Sequence, residues 1–341
     1  MSTWTAQGHS FGIHPYVTSG YQGAYSTLTD WFMMRFGRLP SRTVRNHQVA
    51  WSGWTDGAAI AAAQGYALDT NFYHWGSWLQ KPDQSWPHGY ITGSGQPMKF
   101  VTANGTILQN YQQVTQLVDE QLIAGLGNEN LGAADAIAVS RSLMDRSQSG
   151  DYAALMTQFH VDYYGWGTPQ EWAEGTVAYA NSLGIPVWNA DQWLGFVETR
   201  NGANIANVAW NSGTGQYTFD LTVPAGSTSL SVLLPAANGG AALSGVLVDT
   251  TAASVSQFTA NGVTSALISV PAGTHRISAG YGAAPIPPTS PPTATPTNTP
   301  VPPTATNTPL PPTATPTNTP LPPTATPTNT PLPPTATPTN T

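Results

Sequence analysis

The chain has 341 residues and a formal charge of −7, and only 8% of its residues are charged. Ten Lys and Arg without a basic stripe argue against nucleic acid as a partner, and the absence of cysteine rules out disulfide frameworks and thiolate metal sites. No run of about 18 apolar residues occurs, so no membrane-spanning helix is expected.

In chain order, "AYSTLTDWFMMRFG" (24–37) predicts a helix, "TVRNHQVAW" (43–51) a strand, and "TDGAAIAAAQG" (55–65) a helix with Thr or Asp at its start and Gly at its end. "YALDTNFY" (66–73) predicts a second strand, and "PMKFVTANGTIL" (97–108) a hairpin turning at Asn104-Gly105. Helical patterns are expected at 113–124 and 133–147, and an apolar strand at "YAALMTQFH" (152–160), ending in His160. "PQEWAEGTVAYANSLG" (169–184) has proline at the first helical position and a closing glycine, "IPVWN" reads as a short strand, and "ADQWLGFVETR" as a last helix. Strands alternating with helices over 1–200 predict a parallel α/β sheet or barrel with ligands at the carboxyl ends of its strands.

From about residue 203 the pattern becomes short strands between Gly, Ser, Asn and Pro turns, which predicts a small β-sandwich over 203–282. Residues 283–341 are Pro- and Thr-rich, with "PPTATPTNTPL" recurring from Pro291 at a period of 11 residues. Such a tail cannot bury a core and reads as an extended, polyproline-like spacer. Spacers of this type commonly stand at cell surfaces, so an extracellular or surface location is expected, although no signal pattern opens the chain. The sequence ends inside a repeat, which suggests truncation there.

Polar residues gather where strands are expected to end. Arg45 and His47 lie in the first strand, Asp69 closes the second, and His160 closes the third. In a parallel α/β body these ends converge, and a cation, a carboxylate and two imidazoles there make an acid–base constellation. The structural alternative has equal standing: a strand-end Asp often caps the next helix, and a buried Arg–Asp pair can be purely structural. His14, in "GHSFGIHPYV" (8–17), is a candidate only through its company. Asp119-Glu120 in "QLVDEQL" reads as a solvated helix face, with a glycosidase carboxylate as the minor reading. The 12 Trp and 13 Tyr suit either a large aromatic core or rings that stack on sugars.

Taken in order, these pieces resemble the polysaccharide deacetylase family (the NodB-homology, carbohydrate esterase 4-like group). "GHSFGIH" resembles a stretch that carries a metal-binding histidine, at the place of His14. "TVRNHQ" resembles an arginine-bearing strand, "LDTNFYHW" an Asp followed closely by Trp (Asp69 and Trp75), and "LMTQFH" a strand ending in His160. The match covers about residues 6–197. It implies an incomplete or distorted (β/α)7-type barrel followed by the sandwich and the tail. It also implies metal-assisted hydrolysis of N- or O-acetyl groups on a polysaccharide or cell-wall glycan. A divalent metal, Zn²⁺ in the first instance, would be bound through His14; Arg45 would orient a base, Asp69 would tune His160, and His160 would act as the acid. Trp75 and His47 would contact substrate, and a monomer is expected.

Two departures shape the expectation. Thr18 stands where the family has a second metal histidine, and the family's aspartate-bearing first strand has no counterpart, as if the first βα unit lay upstream of Met1. Weak or absent activity is therefore expected of this chain. The alternatives are a non-catalytic polysaccharide-binding module, or a glycoside hydrolase or lyase using Asp69 with another carboxylate. The sandwich carries few aromatics (Trp210, Tyr217, Phe258 and Tyr281) and is expected to pack rather than bind.

Overall fold

The computed structural model describes residues 1–17, 20–47, 51, 53–73, 93–123, 125–126, 129–227 and 229–282. After a short helix α1 (Ser2–Ala6), Ile13 bridges Val44 of strand β1 (Thr43–Val44) in parallel. Helix α2 (Tyr21–Phe36) connects the two; it buries Tyr25 and Phe32, two turns apart on one face. It stops at Gly37, whose left-handed φ of 65° lets its N–H close on Met33 O. Helix α3 (Asp56–Ala63) has an acidic residue in its first turn and buries Ala58 and Ala61.

Strand β2 (Leu68–Tyr73) pairs in parallel with β1 on one side and with β4 (Ile107–Thr115) on the other. Strand β3 (Met98–Val101) forms an antiparallel hairpin with β4. The turn includes Gly105 at φ 86°, and Thr102 N–H donates to Thr106 O. One residue beyond β4 lies β5 (Leu117–Val118), which pairs in parallel with β6 (Thr157–Gln158). Between them run α4 (Asp119–Leu122), α5 (Ala133–Arg146) and a π-helical turn (Ser147–Asp151). Helix α6 (Gly167–Ser182) follows β6. Its Trp172 is fully buried against Phe159, and the indole N–H donates to Ser140 Oγ of α5 at 2.8 Å. Helix α7 (Ala190–Gly202) opens on a reciprocal capping box between Asn189 and Gln192.

The expected (β/α)7-type barrel is not what forms. Pairings are mostly antiparallel, and the sheets curl without closing. The sheet order β1-β2-β4-β3 ends on the β3 hairpin, and β5–β6 forms a separate two-stranded ladder. The physical reason lies in β4: its outer edge is taken by β3, so only its continuation through β5 is left to meet β6. Strands of two residues, such as β1 and β6, cannot carry a closed ladder. The helix expected at 113–124 is instead strand through Val118, and only α4 is helical.

The second half is all-β. Strands β7 (Asn204–Asn211), β8 (Gln216–Val223), β10 (Ala237–Asn238), β11 (Ala241–Val248) and β15 (Gly273–Tyr281) form one sheet in the order β10-β11-β15-β8-β7, with β12 (Thr251–Ala252) paired to β11. Strands β13 (Ser256–Ala260), β14 (Val263–Pro271) and β9 (Ser229–Pro235) form the other. Phe219, Leu221, Ile277 and Ala279 from the first sheet and Leu234, Ile268 and Val270 from the second share one apolar core, as two packed sheets require. Phe196 of α7 packs against both this core and the cluster around Leu68 and Leu194. Gly202 closes α7 so near Pro224 that a Cβ there would lie 2.9 Å from the proline Cγ. The tail expected from 283 onward lies outside the described residues.

Candidate functional site

Parallel pairing brings the candidate residues to one end of the strands. Ile13 bridges Val44, and Val44 pairs with Asp69, so His14 and Arg45 emerge side by side next to β2. Val118 pairs with Gln158, so Asp119 and His160 emerge together at the same end of the second ladder. Arg45 ties β2 and β4 together: its Nη1 donates to Thr70 O at 2.6 Å and to Thr115 Oγ1 at 2.8 Å.

His160 has a tightly built surrounding. Its backbone N–H donates to Asp119 Oδ2 at 2.6 Å, and its Nδ1 lies 2.6 Å from Asp119 Oδ1. Asp119 is 1% exposed, whereas the His160 side chain keeps 17% of its surface open. On the other side of the ring, Nε2 lies 3.0 Å from Gln158 Nε2 and 3.8 Å from Glu120 Oε2. Glu120 accepts from Tyr163 Oη at 2.8 Å, and the Tyr163 ring leans on His160 at 5.1 Å between centroids. The hydrogen bond from Asp119 is the main influence raising the His160 pKa above its ordinary value. Burial opposes it, the charges of Asp119 and Glu120 add to it, and Arg45 opposes. Glu120 likewise holds the Tyr163 phenol up at about 12.

His14 is driven the other way. Desolvation lowers its pKa first, then the charge of His47, with smaller contributions from His160 and Arg45. The mutual influence of His14, Arg45 and His160 places all three in one electrostatic neighbourhood. Its two imidazoles are pushed apart in pKa, as in sites that handle protons. His47 sits 5.5 Å from His14 between ring centroids, edge to face, and Tyr16 stacks on His47 at 3.8 Å.

Asp69 belongs to a deeper layer. It is 1% exposed; its Oδ1 accepts Asn71 N–H at 2.8 Å, and its Oδ2 has no hydrogen-bond partner among the described residues. Burial is the largest influence and raises its pKa to about 6, against the pull of Asn71, Gln112 and Arg45. Behind it, Asn71 Oδ1 accepts Asn46 N–H at 2.6 Å, and Asn46 Oδ1 accepts Tyr25 Oη at 2.7 Å. Asp69 is therefore buried away from solvent, and the carboxylate that holds His160 is Asp119.

The structure thus brings His14, Arg45, His47 and His160 to one rim and sets Asp69 beneath it; Trp75 and Thr18 lie outside the described residues. Sequence reasoning missed Gln158, Tyr16 and Tyr163, and it placed Asp119 and Glu120 on a solvated helix face with a glycosidase carboxylate only as the minor reading. Asp119 had one available signal: it directly follows the apolar pair Leu117-Val118, and residues just past a parallel strand lie where ligands bind. Among the described residues no three His, Asp or Glu side chains converge closely enough to hold a metal ion. The imidazole of His47 lies beside His14, and Tyr16 stacks on that ring. The donor set does not fit the expected Zn²⁺ site, and no chemical step is routed through a metal below.

No family model, no curated protein and no solved structure matches the chain. Among the described residues no helix is long and apolar enough to cross a membrane.

Proposed function

We propose that this rim is an acid–base site that hydrolyses acyl groups, acetyl in the first instance, on a polysaccharide. The observation that carries the reading is the two-point grip of buried Asp119 on partly exposed His160. A carboxylate on Nδ1 fixes the ring and stabilises its protonated form, which leaves Nε2 to exchange a proton with a reacting group. Arg45 supplies fixed positive charge nearby, which favours a developing oxyanion. Water is the nucleophile: its oxygen bonds to the acyl carbon, its proton passes to His160, and the ring returns a proton to the departing sugar oxygen or nitrogen.

Support for a glycan comes from the aromatic rings around the dyad. Trp166 is 55% exposed and packs 4.9 Å from Tyr163, and Tyr16 is 60% exposed. Exposed rings with free faces suit the apolar faces of pyranoses. The deciding experiment follows acetate release from acetylated xylan and chitooligosaccharide, with wild type and His160→Ala compared. Release that His160→Ala lowers by about 10²-fold or more supports the reading. Release that is absent, or unchanged in the variant, refutes it.

The exposed rings of Tyr16 and Trp166 support one second reading, a non-catalytic glycan-binding module held at a cell surface. In that case His160→Ala binds glycan as wild type does, and neither protein releases acetate.

A further inference from the structure

Gln158 touches His160 in a way that constrains the imidazole. Its side-chain Nε2 lies 3.0 Å from His160 Nε2. An amide nitrogen can only donate, so the ring nitrogen must accept and carry no proton. The single proton of the neutral ring then sits on Nδ1, where Asp119 Oδ1 accepts it at 2.6 Å. Gln158 Oε1 is buried and has no hydrogen-bond partner among the described residues. Turning the amide over would offer that oxygen to a protonated Nε2, but it would leave the amide N–H₂ buried in the oxygen's place. A buried orphan donor is tolerated less well than an under-satisfied carbonyl. The amide therefore prefers the neutral ring.

We infer that Gln158 is a positioning residue that holds His160 in its neutral, Nδ1–H form, with the Nε2 lone pair presented as a base until a ligand or water displaces the amide. This deepens the proposed hydrolytic reading, on which its catalytic meaning rests. The groups facing the ring are accounted for. Asp119 and Glu120 from α4 favour the imidazolium, Arg45 beyond β1 opposes it, His14 beyond Ile13 repels it, and the Tyr163 phenol is engaged with Glu120. Gln158 is uncharged and adds to the side that favours the free base. Its place is secured from below, since Phe159 next to it packs on buried Trp172 at 4.6 Å between ring centroids.

The test is nitrogen-15 NMR of the imidazoles in the full chain, with His160→Ala assigning the signal. In wild type the neutral form should show Nδ1 protonated and Nε2 as the bare nitrogen. Gln158→Leu, which removes the donor, should raise the His160 titration midpoint by about half a unit to one unit. Gln158→Glu, which places a carboxylate at Nε2, should raise it by about one unit or more. A neutral ring protonated at Nε2 in wild type, or a midpoint that neither variant moves, overturns the inference. Acetate release measured on the same proteins separates the two claims: if none is released while the tautomer and midpoints behave as stated, the hydrolytic reading fails and the role of Gln158 stands.

Discussion

Asp119 and His160 are joined twice, once through the backbone N–H and once through the ring, each at 2.6 Å. The pairing fixes ring position and ring chemistry together, because the carboxylate that accepts the backbone bond cannot swing away from Nδ1. Asp119→Asn should keep the backbone contact and lose the charge. The His160 midpoint should fall, since the hydrogen bond to Asp119 is the largest influence raising it. Acetate release should drop by about 10²-fold or more, because the ring loses its orienting anion. An NMR titration beside a rate assay checks both.

Asp69 and His160 should each make stability fall as pH rises from acid to neutral, while His14, whose pKa is lowered, acts the other way. Burial pushes the Asp69 pKa up to about 6 from its ordinary value of 3.8, so the folded state holds its proton longer than the unfolded chain. Its contribution is full below pH 4 and is lost between about 4 and 6, worth about 3 kcal/mol. His160 is also raised in the folded state. Its contribution is full below the unfolded value of about 6.5 and disappears as pH climbs through the folded one. Asp69→Asn should therefore raise the thermal midpoint at pH 7.5 relative to wild type and bring no gain at pH 4. Equal gains at both values would mean that the buried carboxyl does not titrate in this range.

How much of this was legible in the sequence depends on what each residue faces. Helices α2, α3 and α6 announce themselves through Gly37, Asp56 and Pro169, all local signals, whereas Asn189, which caps α7, was read as the end of a strand. The stretch 113–124 misleads because its polar residues face inward: Gln112, Gln113, Thr115 and Gln116 are all buried, so a strand's interior reads as a helix's wet face. Asp119 was lost to the same confusion. The convergence of His14, Arg45 and His160 was legible because it depends only on where strands end. The hairpin at 97–108 was legible, but the open sheet was not, since it turns on the second strand of that hairpin running on through Thr115 and pairing with β2, which leaves β3 on the edge.

Zinc offers a check of the donor set. His14 has one imidazole neighbour and no carboxylate completing a trio among the described residues. Added Zn²⁺ should bind below one equivalent per chain, and a chelator should leave the His160-dependent rate within about twofold, as expected where fewer than three protein ligands converge. One tightly held equivalent that His14→Ala releases would restore the metal reading.

Trp172 carries the packing under the site. It is fully buried, its N–H is satisfied by Ser140 Oγ, and Thr176 Oγ1 donates to the same oxygen at 3.0 Å. Trp172→Ala should cost about 3–5 kcal/mol in denaturant unfolding. Because Phe159 rests on this indole, His160 should also lose its fixed relation to Asp119, so the variant's histidine midpoint should drift toward about 6.5 even where the chain stays folded.

The aromatic rim makes a claim about which glycans fit. Tyr163 and Trp166 extend outward from His160, and carboxylates flank them: Glu120 holds Tyr163 Oη, and Glu174 holds Tyr164 Oη at 2.8 Å. The phenols are thus pinned while Tyr164 and Trp166 stay exposed, so stacking a sugar costs little side-chain entropy. The same carboxylates repel an anionic polymer, which makes an uncharged chain the better fit. Trp166→Ala should weaken binding of neutral oligosaccharides by about tenfold, the worth of one stacked ring. Polygalacturonate should bind poorly to wild type and variant alike. Titration of tryptophan fluorescence or calorimetry reads both, and tighter binding of the polyanion would show that the flanking carboxylates do not set the choice.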